Sequence, residues 1–364
     1  MLERATEKLR RFDWPLLIAV FLLFCLGLAA IYSVNLSQSG ANFTDFNKQI
    51  IFGGIGFIIL IVCGLINYSS WRVYSRTLLV AMFLILLLVL FFGSAIRGTK
   101  GWFLFGGFGF QPAELAKVVL IIALAKFFCN RFQRFQVAKH ILVSVFFCLV
   151  LALPIMLQPD FGSAMILFGI WFTLLILTRL KKKYLILLLL IFVVIAAVGW
   201  NFALKDYQRE RVLVFLNPTH DPFGSGYNVT QSVIAVGSGG WFGRGLGFGS
   251  QSQLKFIPEA QTDFIFAVIA EELGLLGVTI VLGLWAIVFW RLFQIAKKAR
   301  DDFGLFLVLG ASTLFFLHAF INIGMNLGIM PVMGISAPFL SYGGSFLIVS
   351  MAFIGFTESV AVHS

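Results

Sequence analysis

The sequence predicts an all-α polytopic membrane protein with ten transmembrane helices and both termini cytoplasmic. Three observations carry this expectation. Hydrophobic residues make up 60% of the 364-residue chain and charged residues only 12%, more apolar surface than a soluble domain can hide. The apolar residues fall into ten runs, each near the roughly 20 residues of helix that cross the hydrocarbon. The basic residues gather between alternate runs.

Residues 1–13 are charged and amphipathic, with Arg4, Lys8, Arg10 and Arg11. The first run, 14–34, is long for a secretory signal and is followed by further spans, so it reads as an uncleaved helix. The others are 49–67, 76–93, 113–129, 141–157, 163–178, 184–203, 264–290, 304–326 and 341–360. The N-terminus and the segments 68–76, 126–140, 179–183 and 291–300 hold 18 of the 27 Lys and Arg. With ten helices all five fall on one face, and the positive-inside rule makes that face cytoplasmic. The net charge of +11 therefore belongs to short loops and implies no nucleic acid. Cys25, Cys63, Cys129 and Cys148 have no metal-ligand spacing and read as small apolar residues. The whole of 1–364 reads as one membrane domain.

Four segments then lie outside: 94–112, 158–162, the long loop 204–263 between the seventh and eighth helices, and 327–340. All are rich in Gly, Pro and polar residues, the composition of loops that carry function. In the first, Pro112 suits an opening helical turn, and Glu114 complements the helix dipole. Lys117 shares a face with Glu114 and can pair with it. A local ion pair explains both. A lysine inside an apolar run is costly, however, and usually faces a cavity or partner. Arg97 and Lys100 run against the positive-inside trend; an anionic ligand at the outer face would explain them, ahead of a screened surface pairing with lipid head groups. Trp102 by itself reads as an interfacial anchor. Asp160 reads first as the cap of the helix beginning near Ser163.

The long loop opens with Lys205, Arg209 and Arg211 among apolar residues, an amphipathic pattern. Its glycine-rich part, 237–249, contains Arg244 and permits close backbone approach. Aromatic and aliphatic residues recur there and are expected to pack. Asp263, after Gln261 and Thr262, stands at the start of the eighth helix. It can be the helix N-cap, a general base, or both. Glu271 and Glu272 lie deeper, where an intramembrane acid suggests function. Gly274 would admit a close-packed helix. The segment 322–345, with Pro331, Pro338 and Ser341, is broken backbone that can line a cavity.

The strings GWFLFGGFGFQPAELAK, QPDFGS, GYNVTQSVIAVGSGGWFGRGLGFGSQSQLKFIPEAQTDFIFAVIAEELG and NIGMNLGIMPVMGISAPFLSYGGS together resemble the SEDS family (shape, elongation, division and sporulation) of the RodA/FtsW type. The resemblance covers essentially the whole chain. YNVTQS and SQSQLKF resemble the elongation type, whereas PEAQTDF has a division-type flavour. Ala337 stands where the family commonly has Leu, and QPDF replaces the frequent QPDL.

The resemblance implies a peptidoglycan glycosyltransferase of the bacterial cytoplasmic membrane that polymerises lipid II, a disaccharide-pentapeptide on undecaprenyl diphosphate. Asp263 matches the family's proposed catalytic aspartate, Trp102 an important tryptophan, and Glu114 with Lys117 a membrane-cavity pair. The expected partners are a class B penicillin-binding protein and other elongation-machinery membrane proteins. Attack of an acceptor hydroxyl on the anomeric carbon passes through an oxocarbenium-like state, and one carboxylate can take the proton. The leaving diphosphate needs positive charge from Arg97, Lys100, Lys117, Arg244 or a divalent cation such as Mg or Mn. The expected substrate-binding set is Arg97, Lys100, Trp102, Gln111, Glu114, Lys117, Asp160, Arg244, Gln261, Thr262 and Ser341, with Asp263 catalytic. A lipid II flippase is the alternative from another class, since the buried acids and Lys117 also suit a polar lipid pathway. A non-catalytic scaffold for a transpeptidase is a third.

Overall fold

The computed structural model describes residues 7–36, 43–96, 98–106, 108–129, 137–178, 180–202, 206–217, 221 and 224–363. Among these residues the fold is mostly helical, at 77%. Among the described residues seven helices are long and apolar enough to cross a membrane: α1 (Trp14–Leu36), α2 (Thr44–Leu65), α3 (Ser69–Phe92), α5 (Val137–Leu157, its apolar part Lys139–Leu157), α11 (Ile265–Lys298), α12 (Asp302–Asn326) and α13 (Gly344–His363). The remaining expected runs form α4 (Pro112–Cys129), α6 (Phe161–Ile176) and α7 (Lys182–Phe202). With 16 residues α6 is short, and α4 carries Glu114, Lys117 and Lys126.

Several boundaries move for local reasons. The third helix begins at Ser69 rather than 76, because the Asn67 side chain accepts the Ser69 N–H at 2.9 Å and starts the helix early. Arg72 and Arg76, expected in a loop, therefore lie in α3, where Arg72 pairs with Asp301 at 3.4 Å. The second helix gains a polar first turn from Thr44. The last begins at Gly344, because residues 337–341 are held in a turn by Ser341.

The expectation of an all-α chain needs correction. Residues 94–112 contain a three-stranded antiparallel sheet of β1 (Ser94–Ile96), β2 (Thr99–Phe105) and β3 (Phe108–Phe110). Two-residue connections join the strands, and Gly98 (φ 80°) and Gly106 (φ 53°) take the left-handed conformation that such hairpins require. Phe and Trp supply the strand propensity. The sheet is fixed to the bundle where the Phe108 ring meets Phe52 at 5.3 Å. The long segment before Asp263 is also partly helical: α8 (Asp206–Leu216), α9 (Ser225–Ser238) and the single turn α10 (Ser250–Gln253).

At the bundle's centre, fifteen of the 18 residues of α4 are buried. It packs against α3, α6 and α12, while α13 lies along α2, and α11 against α1 and α12. Glu114 and Lys117 consequently point into protein rather than lipid.

The eighth run is not continuous. Gly274 adopts φ 64°, ψ −160°, dividing α11 into 265–273 and 275–298. The glycine-rich loop supplies the bonds lost at the break. The Arg244 and Gly245 N–H groups donate to Glu271 O (3.0 Å) and Glu272 O (2.9 Å). Leu275 and Leu276 N–H donate to Gly240 O (2.9 Å) and Trp241 O (3.1 Å). A Cβ on Gly243 would stand 2.1 Å from Glu272 O, so only glycine permits this approach. The glycine expected to admit a neighbouring helix instead admits this loop.

Candidate active site

Asp263 lies in a run of turns, 258–264, gathered on one carbonyl. Glu259 (φ 56°) accepts the Thr262, Asp263 and Phe264 N–H groups at 3.1, 3.2 and 3.3 Å. Three elements clamp this turn. Gln261 Nε2 donates to Asn35 Oδ1 at the end of α1, at 2.6 Å. Ser341 Oγ donates to Thr262 O at 2.6 Å and accepts the Ala337 N–H at 2.8 Å. Asn322 and Asn326 of α12, both fully buried, each donate Nδ2 to Asp263 O at 2.9 Å.

Asp263 is not the N-cap of α11. The helix starts at Ile265, with Phe264 in the cap position and no side-chain cap bond. Asn326 Oδ1, reaching over from α12, accepts the Ala267 N–H at 3.0 Å instead. The two asparagines thus fix the Asp263 backbone carbonyl. The carboxylate lies beside Gly334, whose Cβ, if present, would be 3.7 Å from Asp263 Oδ2.

The second cluster is Glu114, Lys117 and His318. Lys117 is 1% exposed and Glu114 8%. Lys117 Nζ reaches Glu114 Oε1 and Oε2 at 2.9 Å each and His318 Nε2 at 3.1 Å. An ammonium has three donors, and all three are engaged. The geometry assigns the tautomer: Nε2 accepts from Lys117, so Nδ1 carries the proton and donates to Ser336 O at 3.2 Å. The imidazole stacks on Phe346, ring centroids 4.5 Å apart. Lys117 therefore has no spare donor for a diphosphate, and the charge expected of it there is already balanced by Glu114.

The two clusters share one strip of chain. Ser336 O holds His318, Ile335 O accepts Asn322 Nδ2 at 2.8 Å, and Gly334 flanks Asp263.

A third pair lies beside them. Gln111 Nε2 donates to Asp160 Oδ2 at 2.9 Å, joining the two Gln-Pro turns, and its N–H bonds Ser345 Oγ at 3.1 Å. Asp160 is the cap of α6, accepting the Ser163 N–H at 2.9 Å. Trp102 is half-buried on β2 and Lys100 exposed on it; Arg97 lies outside the described residues. Arg244 is apart from the Asp263 turn. Its backbone bonds Glu271 O, eight residues and about 12 Å along the helix, and its Nη1 donates to Ser250 Oγ at 2.9 Å.

Glu271 and Glu272 have structural work. Glu271 accepts the Gln251 and Ser252 N–H groups at 2.7 and 3.0 Å, capping α10. Glu272 accepts from Ser33 Oγ, and from Ser252 Oγ and Gln253 Nε2 at 3.3 Å each. Among the described residues no group of three or more His, Cys, Asp or Glu could hold a metal ion.

The family model for the FtsW, RodA and SpoVE proteins, described as a cell cycle protein, matches residues 14–364. The chain belongs to this family. It is 34% identical over 376 residues to the probable peptidoglycan glycosyltransferase FtsW of Geobacter metallireducens, covering 98% of this chain and 96% of that one. With the peptidoglycan glycosyltransferase MrdB of Escherichia coli K12 it shares 37% identity over 330 residues, covering 90% and 88%. A solved structure described as "Structural coordination of polymerization and crosslinking by a peptidoglycan synthase complex" superposes with a TM-score of 0.81 at 33% identity, covering 96% of this chain and 97% of that one. This family member is a glycosyltransferase and a multi-pass protein of the bacterial cytoplasmic membrane.

Sequence reasoning did not single out Asn35, Gln49 or His318, and it passed over Asn322 and Asn326 individually. Gln49 is fully buried in α2 and holds the 341–343 turn, donating to Ser341 O at 3.1 Å. The available signal was position: Asn322 and Asn326 are one helical turn apart, each a buried amide in an apolar helix, and such groups must find partners.

Proposed function

We propose that this chain polymerises lipid II into peptidoglycan glycan strands on the outer face of the membrane, inverting the anomeric carbon and releasing undecaprenyl diphosphate. Asp263 acts as general base toward the acceptor hydroxyl. The observation that carries this reading is the strip 334–336, which serves both the Asp263 turn and the Lys117–His318 cluster. A carboxylate whose backbone carbonyl is fixed by two buried asparagines suits proton abstraction without loss of position. Neutral overall, the Glu114–Lys117–His318 cluster shapes the floor of the site. Charge for the diphosphate falls to Arg97 and Lys100, while Trp102, Gln111, Asp160, Gln261, Thr262 and Ser341 position the sugars and the turn.

The ten helices α1–α7 and α11–α13 all cross the membrane as one domain. This puts the 18 clustered basic residues on the inner side and the segment 204–263 on the outer side. The wording YNVTQS and SQSQLKF supports a role in elongation, with a class B penicillin-binding protein as partner.

The test uses protein purified into vesicles with labelled lipid II. Wild type makes glycan chains, and Asp263→Ala makes them slower by about 10²–10⁴-fold, the usual worth of a general base. Normal polymerisation by that variant would remove Asp263 from the mechanism. Lipid II movement without polymerisation in wild type would favour the flippase. Rescue of rod shape rather than septation in depleted cells checks the elongation role.

A further inference from the structure

The loop closing the break in α11 presents an unusual surface. Its backbone is held on both sides of Gly274, Gly247 N–H donates to Ser33 Oγ at 2.9 Å, and α10 is latched by Glu271. Yet its large apolar side chains point away from the protein: Trp241 is 74% exposed, Phe242 81% and Phe248 77%. The recurring aromatics therefore do not pack inward, as their sequence pattern suggested. A loop fixed by its backbone with three aromatic rings outward is not a water-facing design.

We propose that residues 241–256 form an element seated in the membrane itself, their aromatic side chains among the acyl chains of the leaflet at the Asp263 end of the bundle. Three features select lipid as the occupant. The first is continuity. Trp241 O bonds the Leu276 N–H, and Leu275 and Leu276 are themselves 47% and 52% exposed at the start of a spanning segment. The second is depth. Residues 275–298 rise about 36 Å and α1 about 34 Å against a hydrocarbon thickness of about 30 Å. Leu276 and Leu36 thus reach the edge of the apolar layer, the level where Trp side chains settle. The third is the surroundings. Leu246 closes an apolar cavity of about 330 Å³ with Leu28, Tyr32, Leu36 and Phe46, wide enough for part of a lipid chain. Arg244 and Lys255, both exposed, flank the aromatics and can meet lipid phosphates.

The proposal does not depend on which reaction the site performs, and its test needs no activity. A spin label is placed at Phe248→Cys, with Cys25, Cys63, Cys129 and Cys148 replaced by Ala. The protein is reconstituted in vesicles of phosphatidylethanolamine and phosphatidylglycerol. Oxygen should relax the label more strongly than a water-soluble nickel chelate, as at a lipid-facing control, Leu84→Cys in α3. Stronger relaxation by the chelate would put the loop in water. A label shielded from both would mean that protein covers it; either result overturns the proposal. Should the cysteine-free protein fail to fold, native-cysteine protein in vesicles with brominated acyl chains serves instead. Trp241→Phe must then remove part of the quenchable fluorescence. An unchanged quenchable fraction would refute the proposal.

Discussion

Lys117 is among the largest fully buried side chains of the described residues, and its environment explains why that is tolerable. Its three donors meet two carboxylate oxygens and an imidazole nitrogen. Removing one partner of a buried pair leaves an uncompensated charge and typically costs about 3–5 kcal/mol. Lys117→Met should therefore lower the melting temperature in detergent, and the double variant Glu114→Gln with Lys117→Met should recover most of that loss. Equal destabilisation by single and double variants would contradict a paired role. His318 allows a finer test. His318→Gln keeps an acceptor for Lys117 and a donor for Ser336 O, whereas His318→Phe keeps neither. Polymerisation should survive the first substitution far better than the second, with both proteins inserted equally. Glu114 and Lys117 were legible in the sequence because charge stands out in an apolar run. His318 was not, because its partners come from segments about 200 and 18 residues away and no local spacing announces them.

Among the elements, α11 departs furthest from its sequence pattern. Hydropathy sees one apolar run through Gly274, because a φ of 64° leaves no trace in composition. An added Cβ at Gly274 would meet Gly243 N at 2.3 Å besides bearing the left-handed backbone. Strain of that kind costs about 1–3 kcal/mol before the clash is counted. Gly274→Ala should accordingly reduce thermal stability and activity together, while Gly237→Ala, where an added Cβ meets nothing within 4 Å, should do neither. Melting curves and polymerisation by both variants decide the matter; equal behaviour would show that the break tolerates a side chain. The small sheet also escaped prediction, since its strands of 3, 7 and 3 residues are short beside the glycines that separate them.

At the scale of the whole molecule, the ends of the bundle divide the work. Far from Asp263, Arg291 grips Asp13 through Nη2 at 2.6 Å and Nε at 2.8 Å, and the Asp13 N–H donates to Glu358 Oε2 at 2.8 Å. This clamp ties α11 and α13 to the residue that starts α1. Arg291→Ala should destabilise the fold by about 1.5–3 kcal/mol, the usual worth of hydrogen bonds to charged groups. Specific activity per folded molecule should stay unchanged, because α1 separates the two ends by about 34 Å. A selective loss of turnover would reveal coupling along the bundle. The charge of these residues made their end of the bundle readable in advance, but their pairing was not, since they lie more than 270 positions apart.

The break at Gly274 also leaves the two halves of α11 with different needs. Residues 275–298 are long and apolar enough to enter the bilayer unaided, whereas 265–273 carry two carboxylates that are satisfied only once Ser33, Ser252 and the loop N–H groups surround them. The short half of α11 therefore depends on the loop packed against α1. Asp263 stands just before it, in a turn that Gln261 also ties to Asn35 at the end of α1.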